Sequence, residues 1–592
     1  MLKGFGFLLK YTWKYSKTYV LAIFLLQIVS SAIPLAGVII PKFIIDELMG
    51  RQRVEHLIFW IVMLLACNFV GGIFIAFLRG YTFTSKGIVF CKFQTMLAEK
   101  LALCDFEQLE NPEFLDIKEQ AGKFLYANGQ GFGVVLDSAV NILGKIFIFG
   151  GLVAILSTVN VFIVILFVGL VLLDAYVDGK VRKRYVDWEM EKAPIERKTV
   201  YYRNLVEDFS YGKETRMYSL KNWIVEKISA HLMLSNNFYK KQVKDSNKVQ
   251  YFSKFTSLLR DSCAYAYVTY GVLSRSIGVG NFTMYISAVA QFSTAMNEVM
   301  NSILNIKQFG QYYVALEKYM NVPAKMREGK KVPVCGKEHT IEFRDVSFRY
   351  HAEGPYVLQN VNITICPGEK LSIVGENGTG KTTFVKLLCR LYDPTEGQIL
   401  MDGIDIKDYD YDAYMSALSA VFQDYKLFSF TVKENVALDR ADMISDDVAE
   451  QIIRQSGFGD KLDRLEQGIH SHIYKNFESD GFEPSGGEGQ KLSLARALFK
   501  DAPIVILDEP TAALDPRAEY ELYQKFNDLV HGKTAVFISH RLSSSRFCDK
   551  VAVFQKGEII EYGSHDELIS KGGTYAELFR MQSEYYVENA AS

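Results

Sequence analysis

Residues 375–383 read GENGTGKTT, a run in which glycines alternate with small polar residues and end on a lysine and two hydroxyls. Glycine lets backbone N–H groups close around phosphate oxygens, and the start of a following helix adds partial positive charge. In this spacing Lys381 reaches the terminal phosphates and the Thr382 hydroxyl ligates Mg²⁺. The context fits: an apolar strand, KLSIV, precedes the glycines and TTFVKLLCRLY follows with helical character. The expected phosphate-binding set is therefore Gly375, Asn377, Gly378, Thr379, Gly380, Lys381, Thr382 and Thr383.

A second chemical group follows at 504–510, IVILDEP. Four consecutive apolar residues predict a buried parallel strand that delivers Asp508 to a metal shell, with Glu509 placed to polarise water. A further apolar strand, TAVFIS, ends at His540. A lone histidine is ordinarily a satisfied loop or core residue. At the carboxyl end of a parallel strand, where α/β sheets bind ligands, His540 is instead expected to contact the terminal phosphate.

Positioning these groups requires an α/β domain, and its remaining motifs identify the type. FEPSGGEGQKLSLARAL (482–498) lies between the phosphate loop and the Asp508 strand. The C-terminal half resembles the nucleotide-binding domain of ATP-binding cassette proteins, whose signature is LSGGQ. Ser485, Gly486 and Gly487 match that signature, whereas Pro484 and Glu488 depart from it. The resemblance implies ATP and Mg²⁺ as ligands, with the signature presenting a hydroxyl and N–H groups to a terminal phosphate. It implies three further roles: Tyr350 stacking on adenine, Gln423 sensing Mg²⁺ and the attacking water, and Asp515 communicating across a dimer. In the preceding IYKNFESDGFE, Glu478 and Asp480 both remain candidates for the glutamate that exporters carry there.

The first half is of another kind. Apolar runs long enough to cross a bilayer occupy about 18–41, 57–78, 138–157 and 160–177, and two weaker ones occupy 252–273 and 282–305. Ahead of them, residues 2–16 alternate Leu2, Phe5, Leu9 and Trp13 with Lys3, Lys10 and Lys14, the pattern of an amphipathic helix on a membrane surface. The apolar run after it is too long for a cleavable signal core. Lys and Arg crowd the long connections and are nearly absent from STVN and SRSIGVGN. The N-terminus, both long connections and the C-terminal half are thus expected on the cytoplasmic side. The connections keep helical periodicity, with breaks expected near 109–116, at Pro112, and near 208–216, at Gly212. In the sixth run Gln291, Thr294, Glu298, Asn301 and Asn305 recur at steps of three or four, a polar stripe suited to line a cavity or to bond neighbouring helices. Lys145 and the Arg260–Asp261 pair are further polar groups at membrane depth.

The expectation is a multidomain membrane protein. An all-α six-helix transmembrane domain with long cytoplasmic extensions (1–320) leads through a linker (321–338) to an α/β P-loop cassette domain (339–592). This organisation resembles an ABC exporter half-transporter of the MsbA-like kind, with the two breaks as coupling helices. The resemblance implies that a second half-transporter, the same chain or another, completes both ATP sites, and that a drug, lipid or peptide is exported across the cytoplasmic membrane. An importer on the same fold, or an ATP-gated channel or sensor, is the alternative. A net charge of −2 gives no reason to expect a nucleic-acid partner. The eight scattered cysteines, without metal spacing, are expected to be reduced and mostly buried.

Overall fold

The computed structural model describes residues 2–126, 131–157, 161–208, 211–274, 277–328, 332–334, 336–509, 530, 532–539 and 542–591. The chain forms two compact units: Met1–Leu103 with Asn111–Val322, and Cys104–Glu110 with Pro323–Ser592.

The first unit is helical among its described residues. Helix α1 (Leu2–Tyr15) precedes α2 (Lys17–Met49), whose start is capped by Ser16 Oγ accepting from the Tyr19 N–H at 3.3 Å. There follow α3 (Val54–Ala102), α4 (Phe106–Leu109, which packs with the second unit), α5 (Pro112–Tyr126), α6 (Gly131–Ser157), α7 (Val161–Glu207), α8 (Gly212–Met217), α9 (Lys221–Leu273) and α10 (Val279–Asn321). The 49 residues of α3 and 53 of α9 span about 70–80 Å at ~1.5 Å per residue, more than twice a ~30 Å hydrocarbon core. The expected spans thus continue as single helices well beyond membrane depth. Helix α2 runs through Pro34 and Pro41 to Met49, beyond the expected end of the first span at residue 41; in an apolar bundle, neighbouring packing tolerates the missing N–H groups.

By length and composition, Lys17–Met49, Val54–Ala102 and Gly131–Ile155 are each apolar enough to cross a membrane. The remaining long helices, α7, α9 and α10, are more polar, and part of that polarity is spent between helices. Lys145 Nζ (α6) pairs with Glu298 Oε2 (α10) at 2.6 Å. Arg182 (α7) donates to Asn305 at 2.8 Å, to Asn301 at 3.0 Å and to Asp178 at 3.0 Å. Arg260, 1% exposed, donates to Ser257 at 2.8 Å and to Ser293, and pairs with Asp261 at 3.5 Å.

The first break between long helices lies upstream of its expected place, because Pro112 starts α5 instead of interrupting a turn. A proline costs nothing at the first helical position, where the N–H has no partner in any case. Seven of the cysteines are free thiols, and the expectation that most are buried fails: Cys389 alone of these is buried, while Cys91, Cys263 and Cys366 are exposed. Cys91 and Cys263 sit on α3 and α9, long helices that leave one flank uncovered within a single chain.

In the second unit, an antiparallel sheet ordered β2-β1-β4-β5 contains β1 (Ile341–Phe348), β2 (Leu358–Ile365), β4 (Glu396–Met401) and β5 (Ile404–Asp405). The other sheet is ordered β10-β9-β3-β8-β7-β6, from β3 (Lys370–Gly375), β6 (Leu418–Val421), β7 (Ile504–Asp508), β8 (Thr534–Ile538), β9 (Lys550–Gln555) and β10 (Glu558–Gly563). It is parallel from β9 to β6, with β10 antiparallel at the edge. Every residue of β7 and β8 is buried, as continuous Val/Ile/Leu runs require in a sheet covered on both faces. Parallel strands align their carboxyl ends, so the phosphate loop after β3 and the acidic pair at the end of β7 share one edge.

Candidate nucleotide site

The phosphate loop closes around left-handed glycines. Gly375 has φ +149°, and a Cβ there would stand 2.3 Å from the Phe554 carbonyl oxygen. Gly380, φ +101°, caps the helix Lys381–Leu388, and a Cβ there would meet Leu358 at 2.5 Å. Only glycine fits either position. Lys381 Nζ folds back over the loop, donating to the carbonyls of Gly375 at 2.8 Å and Glu376 at 2.7 Å. Burial lowers its pKa, against the opposing pull of Glu509 and Asp508. Thr379 is buried and donates to the Glu376 carbonyl at 2.9 Å, bracing the turn. Asn377, Gly378 and Thr382 are exposed at the rim.

Across the sheet edge, Asp508 is 1% exposed, and its Oδ1 has no hydrogen-bond partner among the described residues. Burial, then the neighbouring Glu509, push its carboxyl up to about 6 despite Lys381. A buried carboxylate oxygen left unpaired is costly unless a cation completes it. Glu509 has φ +50°, an uncommon conformation for a side chain this long, held by its N–H donating to the Ile538 carbonyl at 3.0 Å. Its Oε2 accepts from Gln423 Nε2 at 2.7 Å. The structure therefore brings Lys381, Asp508, Glu509 and Gln423 together. His540 and Asp515 lie outside the described residues.

Tyr350 packs edge-on to Phe348 and Tyr392, with centroids 5.0 and 5.3 Å apart, and its hydroxyl meets Thr383 Oγ1 at 3.1 Å. Ser485 is the N-cap of the helix Gly486–Lys500. A capping box joins it to Glu488: the Glu488 N–H donates to Ser485 Oγ at 3.3 Å and the Ser485 N–H to Glu488 Oε2 at 2.8 Å. Lys461 adds an ion pair to Glu488 at 3.2 Å. Burial would raise the Glu488 pKa, but the Ser485 and Lys461 bonds outweigh it and hold the carboxylate below its usual range. The departure at position 488 thus has a local function, fixing the turn that carries Ser485, Gly486 and Gly487.

Three further residues border the site without a sequence motif to mark them: Tyr425, whose hydroxyl donates to the Gly486 carbonyl at 2.7 Å, Lys461 beside Glu488, and Lys386 beside Tyr350. Lys386 shares a helix face with Thr383, but its partners Tyr350 and Phe106 come from elsewhere in the chain. For Tyr425 and Lys461 the contacts are tertiary and have no sequence period. Of the two acidic residues before the signature, Asp480 accepts from Gln467 at 2.9 Å, a contact that makes no choice between it and Glu478.

Comparison with known proteins gives the family and the fold. The family model for the ABC transporter domain matches residues 358–512. The subtilin transport ATP-binding protein SpaT of Bacillus subtilis is 31% identical over 508 residues, covering 83% of this chain and 78% of that protein. The nisin transport ATP-binding protein NisT of Lactococcus lactis subsp. lactis is 27% identical, covering 98% and 96%. An ATP-dependent lipid A-core flippase of Burkholderia orbicola (strain AU 1054) is 39% identical over 273 residues, covering 45% and 44%. In fold, a bacterial Atm1-family ABC exporter with ATP bound superposes with a TM-score of 0.82 at 21% identity, over 96% of this chain and 98% of that one. The chain belongs to the ABC transporter family, with a helical membrane domain of the exporter fold joined to one ATP-binding cassette.

Proposed function

We propose that this chain is one half of a dimeric exporter that hydrolyses ATP to move a drug, lipid or peptide out across the cytoplasmic membrane. The observation that carries the catalytic part is Glu509, held by Gln423 beside the buried Asp508. Glu509 is the general base: water attacks the terminal phosphorus, the bond to the ADP oxygen breaks, and the water proton passes to the Glu509 carboxylate. Lys381 and the N–H groups of the phosphate loop balance the charge on the phosphates, and Tyr350 offers a ring face to adenine. Asp508, Thr382 and Gln423 would hold Mg²⁺, a role that the unpartnered Asp508 Oδ1 fits. When bound, Mg²⁺ neutralises charge on the terminal phosphate oxygens.

Each chain carries one phosphate loop and one Ser485 signature. The dimer reading pairs the loop of one subunit with Ser485, Gly486 and Gly487 of the other, so that ATP draws the cassettes together and hydrolysis releases them. His540 and Asp515 are assigned to the terminal phosphate and to contact across the dimer by resemblance alone. In the membrane unit, Gln291, Thr294, Glu298, Asn301 and Asn305 are proposed to border the transport cavity. Asn301 lines a hollow of about 400 Å³ with Asp174, Asp178, Arg182, Asn297 and Lys254. The positive-inside pattern of the connections supports a cytoplasmic N-terminus and cassette. ATP-dependent accumulation of candidate cargo inside inverted vesicles tests the direction. Movement the other way would favour an importer, and conductance without accumulation a gated channel.

A further inference from the structure

Lys386 lies one turn into the helix Lys381–Leu388 that follows the phosphate loop. Its Nζ is ringed by three aromatic side chains: Tyr350 at 5.4 Å, Tyr392 at 5.5 Å and Phe106 at 5.8 Å from the ring centroids. Glu110 completes the cage, with a carboxylate oxygen 3.5 Å from Nζ and the Tyr392 hydroxyl donating to its other oxygen. Phe106 meets Tyr392 edge-on at 5.8 Å, and Tyr392 meets Tyr350 edge-on at 5.3 Å. Two of these residues, Phe106 and Glu110, do not come from the cassette sequence. They belong to the segment Cys104–Glu110, which packs with the second unit although the chain on both sides of it, α3 and α5, belongs to the first.

Nearby anchors define the segment further. Both Asp105 carboxylate oxygens accept backbone N–H groups, Lys325 at 2.8 Å and Met326 at 3.2 Å, where the chain enters the cassette. Tyr350 is held at two points by one helix: its hydroxyl by Thr383, and its ring by Lys386 three residues on, on the same face. A cation against one face of a phenol ring draws electron density from it. That makes the ring a better partner for an electron-rich purine.

We propose that Lys386 is a positioning residue for the adenine platform, and that through Glu110 and Phe106 it ties occupancy of that platform to the segment connecting two membrane-domain helices. The inference rests on the reading of Tyr350 as the adenine platform. Its content is a specific coupling: the base of the nucleotide, as distinct from its phosphates, is sensed by residues 104–110. By reciprocity, a displacement of that segment changes affinity for the base by the same factor.

Comparing Mg²⁺–ATP with Mg²⁺–tripolyphosphate, which has the phosphates but no base, isolates this effect. Binding of each is measured on the full-length, detergent-purified protein and on Y350A, K386M and E110Q. Lys386→Met is expected to weaken ATP by about threefold or more, the range of a partly desolvated cation–π contact, while tripolyphosphate stays within about twofold. Glu110→Gln should shift ATP in the same direction by less. Equal weakening of both ligands by Lys386→Met would overturn the proposal, since Lys386 would then act on the phosphates; no change in either would overturn it equally. If Y350A leaves the ratio of the two affinities unaltered, the platform reading itself fails. If Y350A alters the ratio and K386M does not, only the inference fails. Hydrogen exchange supplies the readout for coupling: amides of 104–110 should be protected more by ATP than by tripolyphosphate, and K386M should abolish the difference. Equal protection by both ligands in the unmodified protein would refute sensing of the base.

Discussion

Gln423 Nε2 lies 2.7 Å from Glu509 Oε2, joining the loop after β6 to the residue that follows β7. Glu509 stands in a left-handed backbone conformation, and Gln423 is one of the groups that hold its carboxylate. Two residues on, Tyr425 bonds the signature helix at Gly486. One short segment therefore touches both Glu509, the proposed base of this chain's own site, and the surface that the dimer reading lends to its partner.

Replacing Glu509 by Gln keeps the shape and the contact to Gln423 but removes the proton acceptor. Turnover should fall by about 10²–10⁴-fold with ATP affinity retained. Steady-state hydrolysis and equilibrium binding, measured on the same preparation, separate the two effects.

Gln423→Ala leaves Glu509 chemically competent and releases its carboxylate. The expected result is a kcat lower by about tenfold, from the released carboxylate, with a smaller rise in KM from the lost Mg²⁺ ligand. A rise in KM at constant kcat would assign Gln423 to ground-state binding instead.

Asp508 links nucleotide chemistry to stability. Its pKa in the folded protein is about 6, above the ordinary 3.8, so the folded state holds the proton more tightly than the unfolded chain. The stability it permits is fully present below pH ~4 and is lost as pH rises through ~6, a cost of about 3 kcal/mol at neutral pH. In EDTA without nucleotide, Asp508→Asn should therefore raise the apparent Tm at pH 7.5 by a few degrees and flatten its dependence between pH 5 and 7. The same variant should lose the stabilisation that Mg²⁺–ATP gives the unmodified protein. Thermal unfolding across that pH range checks both statements.

The capping box at Ser485 makes position 488 sensitive to side-chain length more than to charge. Glu488→Gln, which restores the residue of the family signature, can still accept from the Ser485 N–H; hydrolysis should stay within about twofold. Glu488→Ala removes the box, which costs about 1 kcal/mol locally, and should lower hydrolysis several-fold by loosening the turn that presents Ser485. Equal rates for the two variants would show that the box has no bearing on the site.

Much of the cassette was legible because its chemistry is local: GENGTGKTT, ILDEP and PSGGE each lie on one strand end or helix start, and a strand-loop-helix context fixes where they point. The long helices were legible from apolar runs, but their ends were not. The first apolar run ends at Lys42 while its helix continues to Met49, and Pro112 reads as a mid-turn break and is a helix start. Whether a proline interrupts depends on packing that sequence spacing does not carry. The stripe from Gln291 to Asn305 was visible as periodicity, whereas its partners Lys145 and Arg182 come from other helices. The Lys386 cage was invisible for the same reason, since Phe106 and Glu110 precede it by more than 270 residues.

The central claim, that two chains share each ATP site, is tested most directly by mixing two inactive proteins. One subunit carries Glu509→Gln with an intact signature; the other carries Ser485→Arg with an intact phosphate loop and Glu509. Each variant alone should be inactive. Co-expressed and purified by two different tags, the mixed dimer has one site in which an intact loop meets an intact signature, and ATP hydrolysis should return to a substantial fraction of the unmodified rate. A mixed dimer as inactive as either parent would contradict the shared-site account.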